Sequence, residues 1–104
     1  MPNIEILTFE ECPNRDRAVA LVERVVADAS GDVEVAIVDV PDAGAAERLR
    51  FLGSPTIRVD GRDIEPGGAD RTDYVYGCRV YRTDAGLTGI PDERWLRDAL
   101  ARAA

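Results

Sequence analysis

The sequence contains no histidine and no lysine, so all 13 of its basic residues are arginine. Each absence removes a chemistry. Without lysine, no side chain can form a Schiff base. Without histidine, neither a Ser–His nor a Cys–His nucleophile pair can be assembled within the chain. A His-ligated zinc or haem site is excluded for the same reason. Cysteine is scarce as well. Cys12 and Cys78 are too few for a disulfide framework or a four-thiolate metal centre. The default setting is therefore a reducing cytoplasm in which thiols stay free unless they are functional, and no cofactor or resident metal is expected. Charge interrupts every apolar stretch within a few residues, so no membrane span or membrane partner is expected. The opening Met-Pro-Asn-Ile-Glu lacks the basic and apolar regions of a secretory signal. Basic runs are also missing, and 20 acidic residues against 13 basic ones give a net charge of −7, which argues against a nucleic-acid partner.

What remains is a chain of 104 residues with 45% hydrophobic content, the size and composition of one compact domain. Residues 4–9 (Ile-Glu-Ile-Leu-Thr-Phe) have the β-branched and aromatic content of a strand. Pro13 suits a helix start. From 15 to about 29 a wide apolar stripe runs through Ala18, Val19, Leu21, Val22, Val25, Val26 and Ala29, ended by Ser30-Gly31-Asp32. Residues 33–40 predict a second strand with two apolar faces, Val33, Val35 and Ile37 on one and Ala36, Val38 and Val40 on the other, a pattern expected of a strand covered on both sides. Pro41-Asp42 opens a short helix to about Leu52, which Gly53 should close. Asp60-Gly61 between residues 56–60 and 62–65 is a strong hairpin signal. Residues 66–77 are expected to be loop, 78–82 a short strand, and 87–89 loop again. Pro91-Asp92-Glu93 starts a last helix with Trp95, Leu96, Ala99, Leu100 and Ala103 on one face. The order β-α-β-α-β-β-(loop)-(β)-α, with a parallel first pair of strands and helices needed on both sheet faces, predicts a three-layer α/β sandwich.

Cys12 is the sharpest chemical feature. It follows a strand and immediately precedes Pro13 and a helix, where free N–H groups and the positive end of the helix dipole favour thiolate over thiol. Arg15, three residues on, is a candidate cation for the sulfur, while Glu10 and Glu11 oppose ionisation unless they point to water. The alternative is a small half-buried residue in a tight turn. Cys78 lies 66 positions later in Gly-Cys-Arg-Val-Tyr. A buried or edge-strand cysteine is the favoured reading there. The functional alternative is a second thiolate that forms a disulfide with Cys12, for which the Cα atoms must come within about 7 Å, or that completes a two-coordinate soft-metal site.

A strand followed by Cys12-Pro13-Asn14-Arg15 at a helix start resembles the active-site turn of the thioredoxin-like superfamily. Gly53-Ser54-Pro55-Thr56-Ile57-Arg58-Val59-Asp60-Gly61 resembles that superfamily's proline-bearing entry to the third strand. The resemblance implies a single thioredoxin-like domain over residues 1–104. It implies a cis bond between Ser54 and Pro55, with Pro55 facing Cys12. Cys12, Arg15 and Cys78 would be the catalytic candidates, with Pro13, Asn14, Ser54, Pro55 and Thr56 on the substrate. Backbone groups beside the proline would then hold an extended substrate or thiol carrier by strand-like hydrogen bonds. The departure is as informative as the match. Arg15 stands where a resolving cysteine would be, so dithiol turnover within this motif is excluded and monothiol exchange with a small thiol or a protein disulfide remains. A binding module without turnover is the alternative of another class.

Nearly the full chain also resembles a group of small bacterial thioredoxin-like proteins with Cys-Pro-Asn, Gly-Ser-Pro-Thr and Cys-Arg-Val-Tyr motifs, some labelled alkylmercury lyase. That reaction needs two thiolates on mercury and a proton donor to the leaving carbon. This chain offers Cys12, Cys78 and a carboxylate such as Glu11 or Asp63, and the fold associated with the reaction is a different one. Two soft thiolates suit Hg(II) by ligand type, so capture is kept as an alternative and lyase activity is not expected. The carboxylates Asp60, Asp63, Glu65, Asp70 and Asp73 lack EF-hand spacing and predict a solvated face. Trp95 is expected to anchor the core. Tyr74, Tyr76 and Tyr81 with Trp95 form a candidate aromatic patch for a homodimer.

Overall fold

The computed structural model describes residues 2–103. Strand β1 (Asn3–Thr8) leads to helix α1 (Arg15–Asp28), strand β2 (Glu34–Asp39), helix α2 (Ala43–Arg48) and the hairpin of β3 (Thr56–Val59) and β4 (Arg62–Asp63). A 3-10 turn (Gly68–Asp70), a small hairpin of β5 (Tyr81–Thr83) and β6 (Gly86–Thr88), and helix α3 (Glu93–Ala103) complete the chain. The main sheet is mixed, in the order β2-β1-β3-β4. β1 runs parallel to β2 and antiparallel to β3, with Ile4 opposite Val59 and Leu7 opposite Thr56.

Alternation along β1 divides the core. Ile4 and Ile6 point to one face, where they pack with Ile57, Val59, Ala18, Leu21, Val22 and Val25 of α1 and Leu96 and Ala99 of α3. Leu7 points to the other face and packs with Val40, Phe51 and the α2 residues Ala45 and Ala46. Helices thus cover both sides of the sheet. Trp95, partly buried, packs on the first cluster, as expected of a core anchor.

β2 departs from expectation. Val35 and Ile37 are 45% and 49% exposed. The two-faced apolar pattern predicted a covered strand, but β2 is the edge of the sheet, and the core residues beneath the helices come from β1 and β3.

α2 starts as the sequence predicts, because the Asp42 carboxylate accepts a hydrogen bond from the Ala45 N–H at 2.8 Å. Asp42→Ala is expected to cost about 1 kcal/mol, the ordinary value of a lost N-cap, measured by urea denaturation. The helix ends earlier than predicted. It closes at Arg50 rather than at Gly53, with Arg50 in the left-handed conformation (φ 56°). The Arg50 N–H donates to the Glu47 carbonyl and the Phe51 N–H to the Ala46 carbonyl, a Schellman close. Asp60 and Gly61 both have positive φ (51° and 82°), as a two-residue type I′ hairpin requires. The loop predicted at 87–89 instead contains β6, where Leu87 pairs with Arg82 and Thr88 with Tyr81.

Exposed ion pairs join α1 to α3: Arg24 to Glu93 at 2.9 Å and Arg97 to Asp28 at 2.9 Å, with Arg97 also 2.8 Å from Glu93. The hydrogen bonds from Arg24 and then Arg97 hold the Glu93 carboxyl below its ordinary range, and Arg71 holds Asp73 down to about 2. A depressed folded-state pKa contributes stability above the unfolded value, and that stability is lost as pH falls through the folded value. The thermal midpoint should therefore drop between about pH 5 and about pH 2. The drop should shrink at about 1 M salt, because these pairs are open to solvent. Melts at low and high salt across that range test both statements.

Candidate functional site

The site forms where β1 leaves the sheet. Extending the β1/β3 register by one residue sets Thr8 opposite Pro55, and the Ser54–Pro55 peptide bond is cis. Thr8 Oγ1 and Ser54 Oγ share a buried hydrogen bond of 2.7 Å. The chain then turns at once, with the Cys12 N–H donating to the Phe9 carbonyl at 3.1 Å and the Arg15 N–H donating to the Cys12 carbonyl at 3.2 Å. Cys12 therefore sits two residues before Asn14, the N-cap of α1. Asn14 makes no side-chain cap bond; its Oδ1 accepts from Arg17 instead. Gly89 lies against the Asn14 side chain so closely that a Cβ there would fall 2.1 Å from Asn14 Nδ2.

Cys12 is free and 7% exposed, Pro13 is exposed, and Glu10 and Glu11 both point to water. The Arg15 guanidinium forms its ion pair with Asp16, at 3.7 Å. Ser54, Pro55 and Thr56 are buried. Cys78 is free and exposed, so of the two placements favoured for it, buried or on an edge strand, burial is not observed. It forms an isolated parallel bridge with Ser54: the Ser54 N–H donates to the Gly77 carbonyl at 2.7 Å and the Arg79 N–H to the Ser54 carbonyl at 3.0 Å. Both backbone groups of the residue before Pro55, expected to be open to an extended substrate, are thus taken by the chain itself. The Phe9 and Tyr76 rings meet at a centroid distance of 5.0 Å, which lays residues 76–78 beside the turn that carries Cys12. Two cysteines far apart in sequence come to the same end of the sheet.

Residues 78–82 alternate as a strand does. Arg79 and Tyr81 turn inward, while Cys78, Val80 and Arg82 are exposed. The Arg79 side chain is 1% exposed. Its Nη1 donates to Asp63 at 2.7 Å and Thr56 Oγ1 at 3.1 Å, and its Nη2 donates to Asp63 at 3.1 Å and Glu65 at 2.9 Å. The guanidinium also lies 4.4 Å from the centre of the Tyr81 ring. Burial works against this charge, but the Asp63 and Glu65 hydrogen bonds and the surrounding field outweigh it and raise the Arg79 pKa. The Tyr81 hydroxyl donates to the Pro55 carbonyl, and burial first of all raises its pKa and keeps it neutral.

This network corrects two expectations. Asp63 and Glu65 are partners of a buried cation, not members of a solvated face. Tyr81 is 1% exposed, so the proposed aromatic patch is not a continuous surface. Arg79 is not among the residues the sequence singles out for chemistry; its signals in the chain are the Arg79/Tyr81 alternation and the acidic Asp63 and Glu65.

Among the described residues, no group of three or more Cys, Asp or Glu side chains is placed to hold a metal ion, and no helix is long and apolar enough to cross a membrane. A cavity of about 490 Å³ opens between the C-terminal end of α1 and α3, lined by Val25, Val33 and Leu100 among others, and includes no candidate site residue. No family model matches the chain, and neither a curated protein nor a solved structure matches it.

Proposed function

We propose that the chain is a thioredoxin-like thiol-exchange protein of the reducing cytoplasm, with Cys12 as its nucleophile. The strand order β2-β1-β3-β4, the helix that follows the Cys12 turn and the position of Pro55 at the entry to β3 support the architecture. The observation that carries the function is the arrival of both cysteines at one end of the sheet, Cys12 on the turn after β1 and Cys78 on the segment bridged to Ser54. In the reaction, the Cys12 thiolate attacks one sulfur of a disulfide, that S–S bond breaks, and the other half leaves as a thiolate. Cys12 lies two residues before Asn14, the N-cap of α1, whose side chain leaves the first-turn N–H groups of the helix uncapped.

A second reading, a binding module without turnover, is favoured by the 7% exposure of Cys12. A third, capture of a soft metal or organomercurial by two thiolates, rests on the same convergence. Reduction of bis(2-hydroxyethyl) disulfide at the expense of a thiol reductant separates the first from the other two. Exchange predicts catalysed turnover that Cys12→Ser reduces to the uncatalysed rate. Wild-type protein no faster than the uncatalysed reaction, or a fully active Cys12→Ser variant, would overturn it.

A further inference from the structure

Ser54 and Cys78 form a pairing whose consequences go beyond one reactive sulfur. A strand-like peptide docking beside Pro55 would need the N–H and C=O of Ser54, the residue that precedes it in the chain. Both are occupied, at 2.7 and 3.0 Å, by Gly77 and Arg79. The occupying segment is fixed as well as paired. Arg79 is locked to Asp63, Glu65 and Thr56, and Tyr81 is tied to the Pro55 carbonyl. An outside polypeptide would have to break this clamp to take its place. Cys78 lies at the middle of the segment, bridged to Ser54 and two residues after Tyr76, whose ring meets Phe9 beside the Cys12 turn. The limited exposure of Cys12 also restricts what can reach it.

We infer that residues 77–79 are a built-in occupant of the docking edge. They exclude extended polypeptides, leave a low-molecular-weight disulfide as the substrate, and present Cys78 as the thiol that resolves the mixed disulfide on Cys12. This rests on the reading of Cys12 as the nucleophile. The sequence of bonds balances without a further reactant. The Cys12 thiolate attacks the small disulfide RSSR, the Cys12–S–S–R bond forms, and one RS⁻ departs and takes a proton from water. The Cys78 thiolate then attacks the Cys12 sulfur, the mixed disulfide breaks, a Cys12–Cys78 bond forms, and the second RS⁻ departs. The two protein thiols lose two electrons and RSSR gains them. An external thiol returns the protein to its dithiol form.

Reduced wild-type protein and its Cys78→Ser variant are treated with bis(2-hydroxyethyl) disulfide, quenched with iodoacetamide and mapped by mass spectrometry. Wild type should release two thiols per chain and carry an internal Cys12–Cys78 bridge. Cys78→Ser should stop at one released thiol with a mixed disulfide on Cys12. A wild-type protein that also stops there, unbridged, overturns the resolving role and leaves the nucleophile intact. A variant with no adduct on Cys12 removes the nucleophile and the inference together. In a second arm, a cysteinyl peptide in disulfide linkage should react at least about tenfold more slowly than the small disulfide, a difference of about 1.4 kcal/mol in barrier. Equal or faster reaction overturns the substrate class.

Discussion

Asp63→Ala is expected to destabilise the protein by about 3–5 kcal/mol, the usual result of removing one member of a buried ion pair. The Asp63 side chain is 4% exposed and that of Arg79 is 1% exposed. The two meet as a fork, with each carboxylate oxygen accepting from a different guanidinium nitrogen. Without Asp63 the Arg79 guanidinium keeps only Glu65 and Thr56 as hydrogen-bond partners, and its Nε already has none. A domain of this size has on the order of 5–15 kcal/mol in total, so the variant approaches unfolding. The loss comes from stranding a charge. Asp63→Ala combined with Arg79→Met should therefore recover part of it, whereas two independent losses would add. Urea denaturation of the two single variants and the double variant gives the comparison. A loss below about 1 kcal/mol for Asp63→Ala, the level of an exposed pair, would contradict the structure.

Gly53→Ala should be the next largest, at about 2–5 kcal/mol from two sources. Gly53 has φ +109°, a conformation side chains rarely adopt. A Cβ there would also stand 3.0 Å from Arg79 Cβ and 3.2 Å from its Cα and N. The obstacle is largely backbone, and a shift would lengthen the Arg79 N–H bond to Ser54 that holds Cys78 in place. The variant should therefore lose amide-exchange protection at Arg79 together with stability. A stable Gly53→Ala protein with Arg79 fully protected would show that the close approach is not there.

The local order of elements could be read from the sequence because each main element carries its own signal. β1, α1, the Asp60-Gly61 hairpin and α3 all declare themselves through periodicity or turn chemistry. The failures share a cause: they depend on neighbours. Val35 and Ile37 look like core residues until the strand order puts β2 at an edge. Arg50 gave no local warning that it would close α2 in a left-handed conformation, three residues before Gly53. β6 is three residues long and makes sense only as the partner of β5. At the site, Cys12, Pro13 and Pro55 stood out from their surroundings in the chain. What could not be read was the position of Cys78, which depends on the Ser54 bridge and on a guanidinium that finds Asp63 from 16 residues away.

The central claim, that Cys12 is the sulfur that starts the exchange, is tested most directly by a brief pulse of a small disulfide on native reduced Cys78→Ser, followed by quenching and peptide mapping. The account predicts an adduct on the peptide that contains Cys12, formed faster than on the urea-unfolded chain. A Cys12 that stays unmodified in the native protein and reacts only after unfolding would contradict it.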